Sequence, residues 1–136
     1  MGSLEGGKIY SRCLLALAAL GALTACDPDI RRMEIASEVS PDGRMRAVLY
    51  RELGGPAVVG VYYALYLTEH NEAEDFSRRQ FLARYVEGVS LSWNERVLTV
   101  SYTKGRISDF DSNWRSLKDD YYVEVRLDPK CTEMCF

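Results

Sequence analysis

Val89-Ser90-Leu91-Ser92-Trp93-Asn94-Glu95-Arg96-Val97-Leu98-Thr99-Val100-Ser101-Tyr102 is the stretch that decides the fold. Val89, Leu91 and Trp93 alternate with serines, and Leu98, Val100 and Tyr102, resuming five positions after Trp93, alternate with polar residues. A period of two puts each set on one side of an extended strand. Asn94-Glu95 between them is a two-residue turn, although the favoured glycine is absent. The segment therefore predicts a hairpin with one apolar face.

The same period extends in both directions. Tyr121, Val123, Val125 and Leu127 form one face of a strand whose other face is Tyr122, Glu124 and Arg126. Upstream, Met33, Ile35, Ser37 and Val39 alternate, then Ser40-Pro41-Asp42-Gly43 turns the chain. Proline presets φ there, while Asp and Gly tolerate the left-handed backbone of a tight turn. Met45, Ala47 and Leu49 return on one face. Ala57 to Thr68 is apolar on both sides, with Val59, Val61, Tyr63, Leu65 and Leu67 opposite Val58, Tyr62, Ala64 and Tyr66. That pattern predicts a central strand buried on both faces.

Two stretches are open. In residues 69–88, Asn71 and Glu74 have capping-box spacing, while Phe81, Ala83 and Tyr85 alternate. A loop or helical turn followed by a strand from Gln80 to Val86 is expected. Lys104 to Lys118 is polar, with Ile107, Phe110, Trp114 and Leu117 scattered through it. Six or seven strands result. They predict a mainly β fold, a small antiparallel β-sandwich or bent meander with a short helical or loop insertion.

Composition agrees with a globular domain. Of 136 residues 47% are hydrophobic and 27% charged, and the net charge is −3. The acidic balance argues against a nucleic-acid partner.

The N-terminal segment has a different character. Lys8 and Arg12 precede Cys13-Leu14-Leu15-Ala16-Leu17-Ala18-Ala19-Leu20-Gly21-Ala22-Leu23, an apolar run of signal-peptide length and too short to span a bilayer. It ends in Leu23-Thr24-Ala25-Cys26, which resembles the lipobox of bacterial lipoproteins. The resemblance implies a signal peptide over 1–25, cleavage before Cys26, and a thioether from Cys26 to diacylglycerol with a further N-acyl chain. More than one chain gives a stable anchor at about 0.8 kcal/mol per buried methylene. Residues 26–33 would be a lipidated tether, 34–128 the β-domain and 129–136 a tail. Asp27 matches the residue that enterobacterial sorting reads as retention at the inner membrane, with the domain facing the periplasm. A buried N-terminal helix and a cleaved but unlipidated export signal are the competing readings.

Ser40-Pro41-Asp42-Gly43-Arg44 leading into Ala47-Val48-Leu49-Tyr50 is similar to strand openings in propeller blades. Together with the hairpin Leu91-Ser92-Trp93 and Leu98-Thr99-Val100-Ser101-Tyr102, it also resembles small bacterial lipoproteins containing a domain of unknown function. Leu53-Gly54-Gly55 stands where that group carries a cysteine. These motifs are structural and transfer no catalytic role.

Removing Lys8 and Arg12 from 17 basic residues leaves 15, and removing Glu5 from 20 acidic residues leaves 19. The mature charge of −4 predicts that lipid on Cys26, not a polybasic patch, does the anchoring. In an oxidising compartment the leftover Cys131 and Cys135 are expected to pair. A metal site is the alternative, but His70 is the only histidine, and C-x3-C supplies no second ligand pair.

The nucleophile, P-loop, dinucleotide and zinc-protease motifs do not occur. His70 lies in a polar run. Asp109-Phe110-Asp111-Ser112-Asn113 has oxygen donors at calcium-like spacing but lacks the sixth-position Gly and twelfth-position Glu of an EF-hand loop. No cofactor beyond the acyl chains is expected.

Nine tyrosines and two tryptophans stand out. Tyr62, Tyr66 and Tyr122 fall opposite the aliphatic stripes, where exposed rings could stack on a glycan or an envelope protein; burial of both sheet faces is the other reading. The expectation is a non-catalytic, membrane-tethered binding module. An inhibitor of an envelope hydrolase is the alternative, and it predicts a protruding loop over residues 104–118. An unrecognised enzyme would require His70 and Asp109 to converge.

Overall fold

A computed structural model describes residues 30–54 and 60–131. The signal peptide, Cys26, Asp27 and Cys135 lie outside them. Nine strands are present: β1 (Arg31–Val39), β2 (Met45–Leu53), β3 (Val61–Glu69), β4 (Arg79–Glu87), β5 (Ser90–Asn94), β6 (Val97–Tyr102), β7 (Lys104–Phe110), β8 (Asn113–Arg115) and β9 (Tyr122–Pro129). They form a five-stranded sheet in the order β1-β2-β3-β4-β7 and a four-stranded sheet in the order β5-β6-β9-β8.

The apolar stripes meet between the sheets. Met45, Ala47, Leu49, Leu65, Leu67, Phe81 and Ala83 from the larger sheet pack with Leu98, Val100, Trp114, Val123 and Val125 from the smaller one. The expected sandwich is present. β3 is the central strand of its sheet, and Ala64, Leu65, Tyr66, Leu67 and Thr68 are consecutively buried. Its doubly apolar sequence has this consequence because each face of the sheet is covered.

The turns are local. Gly43 takes a φ of 73° in the β1–β2 connection, where the Ser40 N–H donates to the Met45 carbonyl at 2.9 Å. Asn94 pairs with Val97, so the hairpin loop is Glu95-Arg96, one residue beyond the expected Asn94-Glu95, and Glu95 adopts a φ of 52° where a glycine would be usual.

Several expectations are corrected. β6 and β9 run parallel, so the sandwich is mixed. The chain leaves the smaller sheet after β6, adds β7 to the edge of the larger one, and returns. Residues 104–118 are therefore mostly strand and not a protruding loop, because β7 pairs with β4 and β8 with β9. Residues 70–78 form turns and bends, so the helical option for the insertion is not taken. The tether is shorter than expected, since β1 begins at Arg31. Met33, Ile35 and Val39 do not enter the core. They are 52%, 47% and 42% exposed on an edge strand, and the register slips between Glu34 and Ala36, leaving Ile35 as the extra residue of a bulge.

Candidate functional site

The outer face of the larger sheet carries Arg46, Val48, Tyr50 and Glu52 of β2 beside Tyr62, Ala64 and Tyr66 of β3. The β3–β4 loop folds over it. Phe76 from that loop packs edge-on against Tyr66 at 5.1 Å and Tyr50 at 5.8 Å between centroids. The Arg32 guanidinium stacks 4.0 Å from the Phe76 centroid. Beneath this cover, Glu52 accepts from Arg32 Nε at 2.9 Å and from the Tyr66 hydroxyl at 2.7 Å. Glu74 accepts from the Tyr50 hydroxyl at 2.6 Å and from Arg46 at 2.5 Å.

Burial, then the Glu52 hydrogen bond, pushes the Tyr66 phenol up to about 12. Burial and the Glu74 carboxylate push Tyr50 up as well. Both phenols are held neutral as donors. The carboxylates of this face are committed to partners, while Arg46 Nε is buried without one.

Tyr66 is 1% exposed and is therefore unavailable to a partner; for this residue the reading of a sheet buried on both faces holds, not that of an exposed ring. The signal that would have found this is Phe76, an aromatic inside an otherwise polar loop. Tyr62 is half-buried under the Arg84 guanidinium, 4.5 Å from its centroid. Tyr122 is 52% exposed on the other sheet. The three tyrosines do not share one surface.

Tyr122 does line an open groove of about 590 Å³ with Pro41, Asp42, Glu95, Arg96, Val97 and Glu124. The two hairpin turns, β1–β2 and β5–β6, form its rim. Asp42 ties the β1–β2 turn to the residue before β9: it accepts from the Ser40 hydroxyl at 2.5 Å and from the Tyr121 hydroxyl at 2.7 Å. The Ser40 and then the Tyr121 hydroxyl hold the Asp42 carboxyl below the usual range. Burial, followed by the bond to Asp42, pushes Tyr121 up to about 12. Arg44 and Arg96 stack on the Tyr121 ring at 4.0 and 4.5 Å. The groove volume lies within the range of small-ligand sites, and its wall offers one exposed ring, one guanidinium and carboxylates.

The remaining candidates are placed apart. His70 is exposed in the β3–β4 loop and donates its backbone N–H to Arg44. Asp109 accepts from Arg79 at 3.3 Å, and Asp111 accepts from the Asn113 backbone at 3.0 Å. No hydrogen bond joins His70 to Asp109 among the described residues. Cys131 packs partly buried against the core and is not a free thiol.

The site and fold define a mixed β-sandwich with a grooved end. No family model, curated protein or solved structure matches the chain.

Proposed function

We propose that the chain is a lipoprotein of the bacterial cell envelope whose sandwich is a non-catalytic interaction module. Residues 1–25 act as signal peptide, and Cys26 carries diacylglycerol and an N-acyl chain. The domain faces the periplasm, with Asp27 favouring the inner membrane, and Cys131 pairs with Cys135. The observation that supports the module is the Tyr122 groove. It opens at the hairpin-turn end, while β1 enters at the opposite end five residues after Cys26. An anchored domain thus presents its half-exposed aromatic and Arg96 away from the bilayer, where an envelope protein or glycan can reach them. No helix among the described residues is long and apolar enough to cross a membrane. For the alternative of a hydrolase inhibitor, most of residues 104–118 is strand, which leaves only the short turn after Arg115 to protrude.

Intact-mass spectrometry of the membrane-extracted protein tests the anchor, with an N-terminus at Cys26 and added acyl mass as the expected result. Retention of residues 1–25, or no added mass, overturns it. For the groove, a photo-crosslinking residue at Tyr122 should capture a partner whose yield falls at least about tenfold in Arg96→Ala. Equal yields in both backgrounds would exclude the groove.

A further inference from the structure

We propose that the end of the sandwich opposite the groove is a docking surface for the headgroups of anionic phospholipids. The proposal rests on the lipoprotein reading and adds a second contact with the membrane.

The register gathers this end. Arg31 pairs with Leu53, Leu53 with Val61, and Arg84 with Arg106 near the junction where Glu87 meets Lys104. Cys26 lies five residues before Arg31, a span of at most roughly 17 Å when fully extended. An acylated Cys26 therefore brings this end, and no other, to the bilayer surface.

Its charge is opposite to that of the far end. Arg31, Arg51, Arg84 and Arg106 have no carboxylate partner among the described residues, whereas Lys104 and Arg32 are paired with Glu87 and Glu52. The tether carboxylates Asp27 and Asp29 offset two of the four unmatched charges. Arg84 and Arg106 are register partners on β4 and β7, so two positive charges rise from neighbouring positions of the sheet. The Arg84 guanidinium is held in place by the Tyr62 ring and hydroxyl. The groove end also has arginines without a carboxylate partner among the described residues, Arg78, Arg96 and Arg115, but sets them among more carboxylates in no ion pair there, Asp42, Asp75, Glu95, Asp111 and Asp120, while Glu72 and Asp119 are paired with Lys118 and Arg44. The acidic total conceals this separation.

Exposed apolar side chains occur at both ends, Leu117, Tyr122 and Val39 at the groove end and Tyr85, Met33 and Val61 at this one. Tyr85 is 73% exposed, held at a φ of 55° where β4 bulges against β7. Met33 and Val61 are 52% and 36% exposed. Tyrosine and snorkelling arginine side chains suit a headgroup boundary, with apolar bodies toward lipid and polar tips on phosphate.

Lys104 and Lys118 provide the test. Their side chains are almost equally exposed, 60% and 64%, at opposite ends of the sandwich. The full membrane-extracted protein is reconstituted in vesicles of phosphatidylcholine alone or with phosphatidylglycerol, and amine acetylation is followed at both lysines. Anionic vesicles should slow Lys104 about threefold or more relative to Lys118, beyond any slowing on phosphatidylcholine, and raised salt should reverse the difference. Arg106→Glu, at an exposed position, should abolish it while Arg126→Glu does not. The same ratio on both vesicle types in acylated protein overturns the headgroup contact alone. A sample without acyl mass overturns the anchor and the contact with it. Equal slowing by inorganic phosphate without vesicles would replace the lipid by a free anion and overturn the proposal.

Discussion

The Tyr66 hydroxyl donates to Glu52 Oε1 at 2.7 Å, on the sheet face that Phe76 covers. One of the three tyrosines whose strand positions allowed a docking ring is instead an internal donor. Its partner carboxylate is 6% exposed and shared with Arg32. The bond joins β2 and β3 on the outer face, where no second sheet packs.

Removing either partner should be unequal in cost. Tyr66→Phe deletes one hydrogen bond and leaves Glu52 with Arg32, so a loss of about 1–2 kcal/mol is expected. Glu52→Ala strands a buried phenol and a half-buried guanidinium together, and should cost about 3 kcal/mol or more. Urea denaturation of the two variants checks the order; a smaller cost for Glu52→Ala would contradict the network.

Phe76 reaches the sheet from a loop, so its removal tests whether the loop is a cover. Phe76→Ala loses the edge contacts with Tyr50 and Tyr66 and the Arg32 stacking, a cost of about 2 kcal/mol. Amide exchange in β1 and the β3–β4 loop should accelerate, while β6 and β9, in the other sheet, stay protected.

The raised phenols set an alkaline limit. Tyr66 and Tyr121 move from 10.0 in the unfolded chain to about 12 in the folded one. The folded state therefore holds more protons between those values, and stability falls as pH rises. The protein should be at full stability below pH 10 and lose it progressively through pH 12. Tyrosinate absorbance should rise together with loss of circular dichroism. Ionisation of all tyrosines with the sheet signal intact would refute the assignment.

Gly88 and Gly43 both hold positive φ, at 62° and 73°, but in different surroundings. A methyl at Gly88 would lie 2.6 Å from Thr103 Oγ1, whereas nothing lies within 4 Å at Gly43. Gly43→Ala should cost about 1 kcal/mol from backbone strain alone, and Gly88→Ala roughly 2–3 kcal/mol. Thr103→Ala in the Gly88→Ala background should recover the excess in thermal melts; no recovery would rule out the collision.

The sequence by itself determined which residues share a face and where the chain turns. Alternation at Leu91-Ser92-Trp93 and Leu98-Thr99-Val100 specifies a hairpin, because successive strand side chains point to opposite sides whatever packs on them. The turn at Asp42-Gly43 and the central burial of β3 follow from equally local rules. Tertiary structure decided which faces are covered. Tyr66 and Tyr122 occupy equivalent-looking outer positions, yet one lies beneath Phe76 and the other in an open groove. The parallel pairing of β6 with β9, the strands drawn from residues 104–118, and the exposure of Met33 and Ile35 depend on partners far along the chain. So does the separation of charge between the two ends, since a net charge sums over surfaces that only the folded chain sets apart.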